Sequence, residues 1–110
     1  MTDRAEANGL SKYGSKATVV DGHRFASQKE AKRYVELRLL LRLSKIRNLE
    51  LQPKFRFPMG FSYVADFRYQ TEAGETVIED TKGFETAVFK LKAKCFRHFY
   101  PDLKLTVLKG

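Results

Sequence analysis

Hydrophobic and polar positions along the chain follow a period of two, then one of about 3.6, then two again. Thr18-Val19-Val20 and His23-Arg24-Phe25 are short β-prone runs around Asp21-Gly22. Asp-Gly in that setting predicts a hairpin, because both central residues of the favoured tight turn take positive φ. Ser27-Gln28-Lys29-Glu30 reads as a capping box, with the Ser27 hydroxyl accepting from the Glu30 amide and Glu30 reaching back to the Ser27 amide. Tyr34, Leu37 and Leu41 then share one helical stripe, bordered by Leu40, with no Gly or Pro inside. This predicts a helix to about Ser44 or Arg47, with Asn48 as its stop.

Beyond Asn48 the pattern turns to strands. Leu49-Glu50-Leu51-Gln52 alternates, Pro53 interrupts as at an edge or bulge, and Phe55-Arg56-Phe57 alternates again. Pro58-Met59-Gly60 reads as a turn. Phe61 to Tyr69 is the clearest strand, with Phe61, Tyr63, Ala65, Phe67 and Tyr69 on one face. Glu72-Ala73-Gly74 suits a three-residue hairpin loop with Gly74 in the left-handed position. Thr76 to Lys82 is the next strand, stopped by Gly83. A second helix is expected over Glu85–Phe99, with Phe84, Val88, Leu91, Cys95 and Phe99 as its apolar stripe and Lys90, Lys94 and Arg97 as a basic one. Pro101 ends it, and Leu103 to Leu108 is a last strand. The order predicts an α/β (α+β) fold with a mixed sheet and two flanking helices behind a short hairpin. Residues 1–16 read as a flexible basic arm carrying Lys12 and Lys16, and 17–110 as a single domain.

Composition sharpens this picture. The chain has 110 residues, of which 43% are hydrophobic, including nine Phe and five Tyr, enough for a real core. Lys and Arg number 21 against 13 acids, a net charge of +8, which points to a polyanionic partner. One cysteine excludes an internal disulfide, and with two histidines it excludes zinc fingers. No apolar run reaches the roughly 18 residues of a membrane helix. The first residues carry no apolar stretch, so a cytoplasmic location is expected.

The carboxylates carry the chemistry. A loop at 72–74 pairs positions whose numbers sum to 146, which sets Asp66 directly opposite Asp80. Like charges so placed are destabilising, and a divalent cation between them is the simplest reason for the arrangement. An exposed face with two solvated acids is the plain alternative. A bulge could also exchange Glu79 for Asp80. Lys82 leaves the same strand face as Asp80. Glu30 is a helix cap, yet it lies on the core-facing stripe and is a third candidate ligand.

A helix bearing an acid, a strand ending near Asp66, and Asp80-Thr81-Lys82 before a helix together resemble the PD-(D/E)XK nuclease superfamily. Ala65 stands at the motif's proline position, and 13 residues separate the two aspartates. Ser11-Lys12-Tyr13-Gly14, Phe25 to Ala31, Leu49 to Phe55, Tyr63 to Phe67 and Glu79 to Gly83 resemble a family of short phage and prophage proteins of previously unassigned function. The resemblance implies a restriction-endonuclease-like core and metal-dependent phosphodiester hydrolysis. It implies that Asp66, Asp80 and Glu30 serve Mg²⁺, for which Mn²⁺ can substitute, and that Lys82 orients water or stabilises charge on the phosphate. Lys90, Lys94 and Arg97 are expected to contact DNA phosphates, with Gln52 as a further contact. A chain this short suits structure-selective cutting, as in Holliday junction resolvases acting in phage DNA processing in the host cytoplasm. A homodimer is a further expectation. The competing reading is a non-catalytic basic DNA-binding protein.

Overall fold

In a computed structural model the structure describes residues 17–109, so the arm at 1–16 lies outside the described residues. The chain divides into two compact units, Met1–Leu39 and Leu40–Gly110.

In the first unit, β1 (Thr18–Val20) and β2 (His23–Phe25) form an antiparallel hairpin with Val20 opposite His23. Asp21 and Gly22 take φ of 52° and 79°, the turn that the Asp-Gly signal predicts. Phe25 and Tyr34 pack ring to ring at 5.0 Å, and the Tyr34 hydroxyl donates to Asp21 Oδ2. Helix α1 (Gln28–Arg42) starts as its cap predicts, with the Glu30 amide donating to Ser27 Oγ at 3.2 Å. Glu30, Ala31, Tyr34 and Leu37 are its buried residues.

The helix stops earlier than expected. Ser44 takes φ of 60°, its amide donates to the Leu41 carbonyl, and the Lys45 amide donates to the Leu40 carbonyl. That hydrogen-bond pair is a left-handed C-terminal cap without a glycine, which is why the sequence pattern missed it. Asn48 is instead an irregularity within a strand, at φ of 57°.

The second unit is built on a four-stranded sheet. Its strands are β3 (Ile46–Leu51), β6 (Phe67–Thr71), β7 (Thr76–Lys82) and β8 (Lys104–Lys109), in the order β3-β6-β7-β8. β6 and β7 pair antiparallel, Phe67 with Glu79 through Gln70 with Thr76, which keeps the sum of 146. Their loop closes with Gly74 at φ of 87° and the Thr71 amide on the Glu75 carbonyl. β7 and β8 are parallel, as a strand–helix–strand crossover requires. The crossover helix α2 (Ala87–Phe99) begins at Thr86, whose hydroxyl accepts from the Phe89 amide, rather than at Glu85. A separate ribbon pairs β4 (Lys54–Arg56) with β5 (Ser62–Val64).

Helix α2 packs on one face of this unit through Phe89, Ala93 and Phe96, against Phe55, Phe57, Tyr63, Ala65 and Ile78. Phe96 meets Phe55 edge-on at 4.9 Å and stacks with Tyr100 at 5.4 Å. The stripe expected to be buried is turned outward. Phe84, Val88 and Leu91 are 80%, 63% and 57% exposed, and Cys95 is only partly covered. Apolar residues occupy two neighbouring arcs of α2, and periodicity alone does not choose between them. The arc with Ala93 between two phenylalanines admits the aromatic wall of β4 and β5 and takes the core. The opposite sheet face carries Phe67, Tyr69, Val77 and Glu79, all buried.

Candidate functional site

The segment expected to run as one strand from Phe61 to Tyr69 is broken at Asp66. Before the break the Ala65 amide donates to the Pro53 carbonyl, in line with the β4–β5 ribbon. After it the Asp66 amide donates to the Glu79 carbonyl at 3.0 Å, on the main sheet. The Gln52 amide, from a residue at φ of 52°, donates to the Asp66 carbonyl at 2.9 Å. Asp66 is the point where the chain changes sheets. Tyr63 and Ala65 therefore join the α2 core, while Phe67 and Tyr69 face the other way.

This geometry corrects the expectation that Asp66 sits directly opposite Asp80. The ladder ends at Phe67 and Glu79. Asp66 turns its carboxylate to the next strand, where Oδ2 accepts from the Thr81 amide at 2.7 Å. Two acids come together without repelling each other across a ladder rung, because each has donors of its own.

Asp80 is 1% exposed. Burying an ionised carboxylate is costly unless it is paired and hydrogen-bonded, and Asp80 is both. The Tyr63 hydroxyl donates to Asp80 Oδ2. Lys82 Nζ lies 3.6 Å from Oδ1 and stands over the Phe89 ring, 4.8 Å from its centre. The Tyr63 hydroxyl is pushed well above the ordinary tyrosine range. Burial is the main cause, followed by the Asp80 hydrogen bond and charge and then by the Asp66 charge, while Arg97 of α2 pulls the other way. Both carboxylates and Arg97 thus act on one buried hydroxyl.

Glu79 belongs to the other face, where the Tyr69 hydroxyl donates to it. Alternation along β7 separates Glu79 from Asp80 and places Asp80 and Lys82 together. Thr81 shares the Glu79 face, and its Oγ1 is buried without a hydrogen-bond partner among the described residues. Glu30 is buried in the first unit with its amide capped by Ser27, whereas Asp66, Asp80 and Lys82 all belong to the second. The Gln52 side chain is exposed, and its backbone is what holds Asp66. Lys90, Lys94 and Arg97 are exposed along α2.

Sequence reasoning missed Tyr63, which it assigned only to an apolar strand face. The available signal was that a buried tyrosine needs a partner for its hydroxyl. Among the described residues no three His, Cys, Asp or Glu side chains form a metal-holding group. Asp66 and Asp80 are the pair that could hold an ion. Their donors are carboxylate oxygens, a set that suits Mg²⁺ or Mn²⁺ completed by water and phosphate oxygens, and does not suit zinc.

The second unit is thus a mixed sheet with a crossover helix, bearing an acid–acid–lysine cluster where its chain changes sheets. The family model described as "Protein of unknown function (DUF1064)" matches residues 10–110, and the chain belongs to that family. No curated protein matches it.

Proposed function

We propose that the protein is a metal-dependent DNA endonuclease that hydrolyses phosphodiester bonds. The observation that carries this reading is the meeting of Asp66, buried Asp80 and Lys82 at the end of β7, beside a helix with an exposed basic stripe. Asp66 and Asp80 are the residues that hold the cation. When bound, a divalent ion polarises the phosphate and lowers the pKa of a bound water.

The chain's own groups do the rest. Tyr63 keeps one oxygen of Asp80 occupied and so fixes the carboxylate's orientation. Lys82, placed against Oδ1 of Asp80, supplies a cation where negative charge grows on the phosphate in the transition state. Lys90, Lys94 and Arg97 meet backbone phosphates, which bind without reading sequence. The net charge of +8 supports a DNA partner. Among the described residues no helix is long and apolar enough to cross a membrane.

Contacts to backbone phosphates do not read sequence, which favours a structure-selective enzyme acting on Holliday junctions or other branched DNA in the cytoplasm. A homodimer would set two sites for opposed strands. Labelled four-way junction, flap, single-stranded and linear duplex DNA, each with Mg²⁺, Mn²⁺ or EDTA, test the reading. Metal-dependent cutting, strongest on the junction, is expected. Tight, salt-sensitive binding with no cutting of any substrate would replace it with a non-catalytic DNA-binding protein.

A further inference from the structure

A cavity of about 460 Å³ opens at the far end of α2. Phe55, Phe99 and Tyr100 give it an aromatic wall, and Lys54, Arg68 and Asp102 stand at its rim. We infer that this cavity binds one unpaired nucleotide of a DNA strand, its base against the aromatic wall and its flanking phosphates on Lys54 and Arg68. This rests on the nuclease reading and names a part of the substrate, an unpaired stretch.

Four observations carry it. The volume lies within the roughly 300–1,000 Å³ of small-ligand sites. The wall is rigid: Tyr100 donates its hydroxyl to the Arg56 carbonyl at 2.7 Å and stacks on Phe96, and its ring lies 5.3 Å from that of Phe55. Phe99 is 38% exposed, so its ring offers a face to a base. Among the described residues neither Lys54 nor Arg68 forms an ion pair, and Arg68 rests 6.0 Å from the Phe55 ring centre. Asp102 leaves the rim net positive and offers an acceptor to an exocyclic amine.

Position adds to this. Arg68 pairs with Ile78 in the register that leads to Asp80, and Arg68 and Ile78 share the α2 side of the sheet.

The test is binding in EDTA, where no cutting occurs, using fluorescein-labelled dT12, a blunt duplex of the same length, and dTMP as probes. The full chain is expected to bind dT12 more tightly than duplex, and dTMP far more weakly than either. Phe99→Ala should weaken dT12 binding about tenfold and leave duplex binding unchanged, as loss of one stacked base predicts. The double variant Lys54→Gln/Arg68→Gln keeps the aromatic wall and covers the case in which Phe99→Ala misfolds. It should lower the salt slope for dT12 by about 1.4, two phosphates at about 0.7 each. Equal weakening of dT12 and duplex by either variant, or no weakening, would overturn the proposal. Binding of dTMP as tight as that of dT12 would also overturn it and make the cavity a free-nucleotide site. Loss of cavity binding with cleavage retained would sink this inference alone. Cavity binding without cleavage would sink the nuclease reading alone.

Discussion

Replacing Tyr63 with Phe removes one oxygen from the centre of the site and preserves ring volume. The ring keeps its packing on Phe89 and Phe96, with centroids at 6.1 and 5.8 Å. What is lost is the hydrogen bond to Asp80, leaving Oδ2 of a 1%-exposed carboxylate without its donor. A hydrogen bond to a charged group is worth about 1.5–3 kcal/mol, so the stability loss should fall in that range. At about 4 °C per kcal/mol for a domain of this size, the midpoint of thermal unfolding should drop by roughly 6–12 °C. Urea denaturation of wild type, Tyr63→Phe, Asp80→Asn and the double variant closes a cycle that isolates the pair. A coupling of about 1 kcal/mol or more is expected, since Asp80→Asn removes the charge that the hydroxyl serves. Additive losses, within about 0.5 kcal/mol, would show that Tyr63 and Asp80 do not act on each other and would refute the reasoning.

Other expectations follow from the same structure. The pKa of Tyr63 is raised by folding, so the protonated hydroxyl is favoured in the folded state; its contribution is fully present below pH ~10 and is lost as pH rises beyond, at about 1.4 kcal/mol per pH unit. Urea midpoints between pH 8 and 11.5 should therefore fall less steeply for Tyr63→Phe than for wild type, and identical slopes would contradict the assignment. Leu91→Ser should change stability by no more than about 0.5 kcal/mol, whereas Phe96→Ala should cost about 3–5 kcal/mol; a reversed order would restore the arc of α2 that the sequence favoured. Ser27→Ala should cost about 1 kcal/mol through loss of the cap on the Glu30 amide, read by chemical denaturation.

The local signals in the sequence with a single physical solution were legible. Asp-Gly fixes a turn through two positive φ values, the Ser27 cap starts α1, and Gly74 closes a three-residue loop that sets the β6–β7 register. That register holds from Gln70 to Phe67 and ends one rung short of Asp66 and Asp80. The departures arise where two solutions compete and tertiary packing decides. Ser44 caps α1 in a left-handed conformation that a non-glycine residue adopts only when its surroundings demand it. The strand through Asp66 looks continuous because alternation is unbroken in the residues, while the change of sheet depends on the backbone groups of Gln52, Pro53 and Glu79. On α2, two apolar arcs were equally periodic, and aromatic fit chose the second. Tyr63 escaped notice because an alternating pattern records where a ring points and not what its hydroxyl needs.

The central claim is that the Asp66–Asp80–Lys82 cluster cuts DNA. Its most direct test is nicking of a supercoiled plasmid in Mn²⁺ by wild type, Asp80→Asn and Lys82→Gln, purified alike and matched for folding by circular dichroism. The account predicts nicking by wild type that EDTA abolishes, and a loss of at least about 100-fold in both variants, the scale of removing one transition-state donor. Nicking that persists undiminished in Asp80→Asn would place the activity elsewhere and contradict the account.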